Sequence, residues 1–263
     1  MKTHGRASLP RRSSTPSHGE YIDSMLRALI KRASAAIPSQ CAVCHSWPTQ
    51  PVCDACVAHF AQPQDRCTTC ALPVVGGVAH CGRCITSKPP LDACIAAVPY
   101  AYPWSGLITH FKFNNNPGWA TPFATLIRST PWAEPALDAA DLILPMPLSA
   151  QRLRTRGFNQ ALLLARALAQ RVDRPDGSHR ADANLLLRIK DTPPQSSLDR
   201  AQRLASVQGA FAVAPLQADR LKAKRVVLID DVMTSGASLF SAASVLRAAG
   251  VVHITAMVIA RTD

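Results

Sequence analysis

From Leu91 onward, short apolar runs take turns with segments whose apolar residues recur every third or fourth position. The runs read as buried strands over Ala93 to Tyr100, Asp141 to Met146, Leu185 to Ile189, Arg225 to Ile229 and Val251 to Ala260. The periodic segments read as helices over Trp104 to Phe113, Asn159 to Val172, Ser197 to Val207 and Gly236 to Ala249. The run Asn114-Asn115-Asn116-Pro117-Gly118 stops the first helix, and Gly250 stops the last. Strands that alternate with helices need crossover connections, which lay the strands parallel in one sheet. The expected architecture is α/β, a parallel sheet flanked by helices, over residues 91–263.

The pattern before Leu91 is different. Residues 40–88 hold eight cysteines, and Pro48, Pro51, Pro63 and Pro73 break any long element. Within residues 21–39, Ile22, Met25, Leu26, Leu29 and Ile30 keep helical spacing, so Tyr21 to Ala36 reads as an amphipathic helix packed on the domain behind it. Residues 1–20, rich in Ser, Pro and Arg, read as a disordered basic leader. No run of about 18 apolar residues is present, so no membrane span is expected. The first forty residues lack the apolar core of a secretory signal, and a cytoplasmic location is expected.

Composition sharpens this picture in two ways. Hydrophobic residues make up 48% of 263 but aromatics only 5%, so the core must be built from Ala, Leu, Val and Ile. The formal charge is +12, which suits polyanionic partners, although general Arg enrichment accounts for it equally well.

The cysteines fall in four Cys-x-x-Cys units: Cys41/Cys44, Cys53/Cys56, Cys67/Cys70 and Cys81/Cys84. Two thiolates three positions apart sit on one tight turn and point at one ion, and four close a tetrahedral zinc site. A disulfide framework needs an oxidising compartment, for which no secretion signal speaks. Two structural zinc ions, in sequential or interleaved pairing, make residues 40–88 a double zinc ribbon. So short a segment with few large apolar residues needs the folding free energy that metal binding supplies. Cys94 lies in an apolar strand and reads as a buried thiol.

The stretch Val226 to Ser238 carries the most chemistry. An apolar strand runs into Asp230 and Asp231, a turn follows through Thr234, Ser235 and Gly236, and a helix starts near Ala237 and Ser238. Backbone N–H groups entering a helix N-terminus attract phosphate, and glycine permits close approach. The paired acids suit the vicinal hydroxyls of a ribose, directly or through a divalent ion. Arg152, Arg154 and Arg156 follow another strand end, where guanidinium forks suit phosphate. Asn159 suits either a helix cap or a ligand contact. Lys112, between Phe111 and Phe113, either snorkels or faces a ligand.

The segment from Val226 to Ser238 resembles the signature of type I phosphoribosyltransferases. Together with Leu144-Pro145-Met146-Pro147-Leu148, Arg152, Arg156-Gly157-Phe158-Asn159-Gln160, Leu107 to Phe113, Gln195 to Phe211 and Cys81-Gly82-Arg83-Cys84, it resembles the ComF family over residues 41–261. That family includes competence proteins tied to DNA uptake and relatives named for gluconate metabolism. The resemblance implies a type I phosphoribosyltransferase-like fold behind the zinc module. It implies that Asp230 and Asp231 meet ribose hydroxyls and magnesium, and that Thr234, Ser235, Gly236, Ala237 and Ser238 hold the 5-phosphate. It implies that Pro147, Leu148, Arg152 and Arg156 receive pyrophosphate, and that Pro193 to Ser197 form a loop over the site.

The implied ligand is a phosphoribosyl pyrophosphate-type small molecule. The implied partners are single-stranded DNA and competence helicase-type proteins. Ser235 stands where the family usually has a second Thr, and keeps the hydroxyl. Purine-salvage enzymes of this fold carry an Asp where this chain has Thr234, which weighs against 6-oxopurine salvage. Two functions share these motifs: binding linked to DNA handling, and phosphoribosyl transfer to a nucleobase or amine. Between residues 151 and 225 basic residues outnumber acids more than two to one, which favours a polyanion. The sequence shows no aromatic stacking platform of the kind single-strand binders use.

Overall fold

The computed structural model describes residues 39–114, 116–169, 181–191 and 207–262. The leader, the Tyr21 to Ala36 helix and the Pro193 to Ser197 loop lie outside the described residues. So does the Ser197 to Val207 helix, apart from Val207.

Four strands form the main sheet: β1 (Ala93–Pro99), β2 (Leu142–Pro145), β5 (Arg225–Met233) and β6 (His253–Arg261), in the order β1-β6-β5-β2. Every pairing among them is parallel, as the alternation of strands and helices predicts. The Leu185 to Ile189 run departs from that expectation. Its strand β3 (Leu186–Arg188) pairs antiparallel with β4 (Phe211–Val213) in a separate two-stranded ribbon. An apolar run identifies a strand but not the sheet that takes it.

Period-two alternation sends the side chains of each central strand to two cores. Val226, Leu228, Ile254, Ala256 and Val258 face one; Val227, Ile229, Met257 and Ile259 face the other. The helices are α1 (Asp54–Phe60), α2 (Gly82–Thr86), α3 (Trp104–Phe113), α4 (Ala120–Arg128), α5 (Ala133–Asp138), α6 (Ala150–Arg156), α7 (Gln160–Ala169) and α8 (Ala237–Ala248). Helix α8 covers the first core with Leu239, Ala242, Ala243 and Leu246, beside Leu186 and Phe211 of the ribbon. Helices α3, α4, α5 and α7 cover the second through residues such as Ile108, Phe123, Leu137 and Leu164. Helices α4 and α5 were not expected, although Phe123, Leu126 and Ile127 keep helical spacing and Pro122 sits in the first turn, where proline is tolerated.

The cysteine segment joins both cores. Cys67, Cys70, Cys81 and Cys84 pack into the first, and Cys41, Cys53 and Cys56 into the second. Trp104 Nε1 donates to the Phe60 carbonyl at 2.9 Å, and Cys94 N donates to the Thr68 carbonyl at 2.8 Å. In a chain poor in aromatics, two clustered sets of sulfurs supply bulk that the sheet faces would otherwise lack.

Asp92, just before the edge strand β1, ties its amino end to β6 and to the end of α8. Its Oδ2 accepts from Ile254 N at 2.7 Å and from the Arg247 guanidinium. Burial pushes the Asp92 carboxyl up, but the Ile254 N–H and Arg247 outweigh it and hold it below the usual carboxylate value. A depressed carboxylate stabilises the fold above its unfolded pKa, and that contribution is lost as pH falls through the folded value. Asp92→Asn should cost about 1.5–3 kcal/mol at neutral pH in denaturant unfolding, the range for hydrogen bonds to a charged group. The gap to wild type should close as pH drops below the ordinary carboxylate range. A gap that stays constant with pH would show that the charge contributes nothing.

Candidate functional site

The carboxyl edge of the sheet opens into a cleft of about 820 Å3 between the ends of β2 and β5. Asp230 and Asp231 lie inside β5, not beyond its end as the sequence suggested. Pairing with β6 continues through Asp230↔Val258 and Val232↔Ala260 to Met233↔Arg261, so the strand outlasts its apolar run by four residues. Asp231 is buried and Asp230 half-buried on the cleft floor.

Beyond Met233 the chain turns through Thr234, Ser235 and Gly236 into α8. Gly236 has φ +82°, a conformation costly for any residue with a Cβ. A Cβ there would lie 2.6 Å from both Met233 Cε and Phe240 Cζ. Packing beneath the turn therefore demands glycine independently of any ligand. Thr234, Gly236, Ala237 and Ser238 line the cleft. Ser235 does not: it is buried, its Oγ accepts from Ala237 N at 3.4 Å, and it borders a separate cavity with Cys70, Phe240 and Arg261.

The facing wall begins where β2 ends. Pro147 and Leu148 line the cleft, and Ser149 Oγ accepts from Arg152 N at 3.4 Å to cap α6. The sequence placed the three arginines only as following a strand end; α6 puts them on a helix. The i, i+4 spacing then puts Arg152 and Arg156 on the cleft side, while Arg154 stays exposed outside it. Asn159 caps α7, its Oδ1 accepting from Leu162 N at 3.2 Å. Its Nδ2 donates to the Met146 carbonyl at 3.1 Å and so braces the strand-end loop. Gln160 is buried, with Nε2 donating to the Lys112 carbonyl and Oε1 accepting from Arg156, both at 3.3 Å.

Among the cleft residues that sequence reasoning missed, Arg188, Tyr100 and Phe113 carry chemistry. Arg188 reaches it from β3, its guanidinium 5.3 Å from the Phe211 ring centre. Nothing in the sequence signals this, because the position of the ribbon is a tertiary fact. Tyr100 and Phe113 also line the cleft. Phe113 is 62% exposed, with the Arg156 guanidinium 5.1 Å from its ring centre. These two rings are aromatic surfaces at the cleft that the sequence did not reveal.

Charges of both signs meet in this space. Lys112 Nζ lies 2.9 Å from Asp231 Oδ1, so this lysine faces the cleft and pairs with an acid instead of snorkelling. Burial of Asp230, reinforced by the neighbouring Asp231 charge, pushes its carboxyl up to about 7 against the pull of Lys112 and Arg156. Burial also lowers the pKa of Arg152 and Arg188, and repulsion among the guanidiniums adds to it. Asp230 and Asp191 offset part of this repulsion. A di-anion placed among these guanidiniums would relieve it further, and magnesium, which takes one or two carboxylates plus phosphate and water oxygens, suits the acid pair.

The two cysteine groups have a geometry of their own. Cys41, Cys44, Cys53 and Cys56 form one, and Cys67, Cys70, Cys81 and Cys84 the other, each with all sulfurs within 4.8 Å of one another. The pairing is thus sequential. Cys41–Cys56, Cys44–Cys53 and Cys70–Cys81 separations are 3.9, 3.6 and 3.6 Å. A tetrahedron with metal–sulfur bonds of about 2.3 Å has edges of about 3.8 Å, whereas a disulfide spans about 2.05 Å. Each group is therefore placed to hold a metal ion. Cys94 belongs to neither; burial pushes its thiol up to about 12, and its sulfur rests 3.5 Å from Met233 Sδ.

No protein-family model matches the chain. Curated relatives do. Competence protein F of Haemophilus influenzae is 31% identical over 199 residues, covering 74% of this chain and 84% of that protein. DNA utilization protein YhgH of Salmonella typhimurium is 28% identical over 220 residues, covering 80% and 90%. Competence protein ComFC of Bacillus subtilis is 32% identical over 143 residues, about half of each chain. Similarity that runs across most of competence protein F, at this level of identity, places the chain in the ComF family.

Proposed function

We propose that the cleft binds a phosphoribosyl pyrophosphate-type ligand together with magnesium, and that the protein serves the handling of single-stranded DNA in competence. The observation that carries this reading is the convergence of a phosphate-type turn, two acids and three guanidiniums in one cleft. Thr234, Gly236, Ala237 and Ser238 take the 5-phosphate at the N-terminus of α8. Asp230 and Asp231 take the ribose hydroxyls and the magnesium ion. Pro147, Leu148, Arg152 and Arg156 take the pyrophosphate, and Arg188 adds a cation from above.

The names of the relatives support the link to DNA. Competence protein F and DNA utilization protein YhgH carry that role in their names. A helicase-type competence protein is the partner that fits such a role, and the location is cytoplasmic. No helix among the described residues is long and apolar enough to cross a membrane. Both cysteine groups hold zinc, whose preference for four thiolates matches the sulfur spacing.

One observation favours a second reading, phosphoribosyl transfer. A carboxyl pushed up to about 7 exchanges a proton near neutral pH, as an acid or base for a nucleobase or amine acceptor must. Transfer would join ribose C1 to an acceptor nitrogen and release pyrophosphate, so pyrophosphate released only when an acceptor is added would identify it.

Changing Asp230 and Asp231 together to Asn keeps their size and removes both charges. Calorimetry should show magnesium-dependent affinity for phosphoribosyl pyrophosphate falling about tenfold or more, since each charged hydrogen bond contributes roughly 1.5–3 kcal/mol. Unchanged affinity in a folded, metal-replete variant would reduce the acids to architecture.

Single-stranded DNA should bind with an affinity that falls steeply with salt, because binding releases counterions. Replacing Arg152, Arg154 and Arg156 together should flatten that slope. Phe113→Ala should weaken binding by about 1–3 kcal/mol, the value of one stacked base, with the slope kept. Affinity indifferent to salt, or to both changes, would remove DNA from the account.

A further inference from the structure

Arg261, the last residue of β6, is 2% exposed and is the one cation in the buried set among the described residues. A buried charge needs an opposite charge or a full set of hydrogen bonds. Among the described residues no carboxylate lies within ion-pair range of Arg261. Its hydrogen bonds go almost entirely to backbone carbonyls. Nε donates to Cys70 O at 3.0 Å, NH1 donates to Met233 O at 3.1 Å, and NH1 also meets the Thr262 carbonyl.

Those acceptors belong to two different devices. Cys70 is a member of the second cysteine group. Met233 is the residue before the phosphate turn, and its side chain packs where a Gly236 Cβ would fall. A cavity of about 300 Å3 joins the two, bordered by Cys70, Cys84, Ser235, Phe240 and Arg261. A divalent ion held by four thiolates keeps a net charge of about −2. That charge would supply the counter-ion that no described carboxylate provides.

We infer that Arg261 is a positioning residue that couples metal occupancy of the second cysteine group to the shape of the phosphate turn. The inference rests on the zinc and ligand readings proposed for this chain. With zinc bound, the tetrathiolate stabilises the guanidinium, which spans from the Cys70 carbonyl to the Met233 carbonyl and holds the latter together with the Thr262 N–H. Without it, an uncompensated cation is left buried at that carbonyl, and the turn keeps only the Thr262 N–H of its two anchors there. Among the described residues the first cysteine group has no such link: Cys41, Cys53 and Cys56 pack into the other core, and the nearby hydrogen bond runs from Trp104 Nε1 of α3 to the Phe60 carbonyl.

Arg261→Met removes the charge and the fork; Arg261→Lys keeps the charge alone. Three readouts apply to zinc-loaded full chain: zinc release to a chromophoric chelator, amide hydrogen exchange over residues 233–239, and calorimetric affinity for phosphoribosyl pyrophosphate with magnesium. In the Met variant, one of two zinc ions should leave about tenfold faster or more, as expected when a buried charge loses its partner. Exchange over residues 233–239 should rise and ligand affinity should fall. The Lys variant should hold its zinc yet still show faster exchange in the turn.

Wild-type protein without zinc would defeat the metal reading. Zinc-replete wild type that ignores the ligand would defeat the ligand reading, while release and exchange would still decide the coupling. Wild-type release rates and turn exchange in a folded Met or Lys variant would overturn the inference. A Met variant that does not fold leaves the decision to the Lys variant.

Discussion

Burial of β5 from both faces is the constraint on which the molecule depends. Val226 and Leu228 look into one core, Val227 and Ile229 into the other, so the strand must be central and covered twice. Its carboxyl end then emerges at the edge where parallel strands present their ligands. Because β6 keeps pairing to Met233, the two acids are held by a ladder of backbone hydrogen bonds and not by a loop. The turn that follows inherits that rigidity, with Met233 and Phe240 closing in on Gly236 from below.

The cleft electrostatics follow from placing like charges on rigid supports. Asp230 sits beside Asp231, and Arg152 beside Arg156 and Arg188, so each sign repels itself. The ion pair between Lys112 and Asp231 relieves part of this strain, yet burial and the neighbouring Asp231 charge still push the Asp230 carboxyl upward. This arrangement is what the proposed ligand would answer: its phosphates would satisfy the guanidiniums and its divalent cation the acids.

The sequence made the strands, the Cys-x-x-Cys units and the turn before α8 legible because each is a local signal. Period-two apolar runs marked β1, β2, β5 and β6 to within a few residues, save the acidic end of β5, which only pairing with β6 could extend. Cys-x-x-Cys spacing marked the thiolates, and their sequential grouping had to await the fold. Arg188 and Phe113 were illegible as site residues because their roles come from the ribbon over the cleft and from the stacking of Arg156, both tertiary. Ser235 differs for the opposite reason: its hydroxyl fits the local motif, but the turn directs it toward the cavity beside Arg261.

Hydrogen exchange at the backbone amides of residues 234–239, with and without saturating phosphoribosyl pyrophosphate and magnesium, tests the central claim most directly. If the turn receives the 5-phosphate, these N–H groups, which lack intrahelical partners at a helix start, acquire acceptors and exchange more slowly. The account predicts protection centred there and absent when magnesium is removed. Saturated binding that leaves exchange across residues 234–239 unchanged would contradict it.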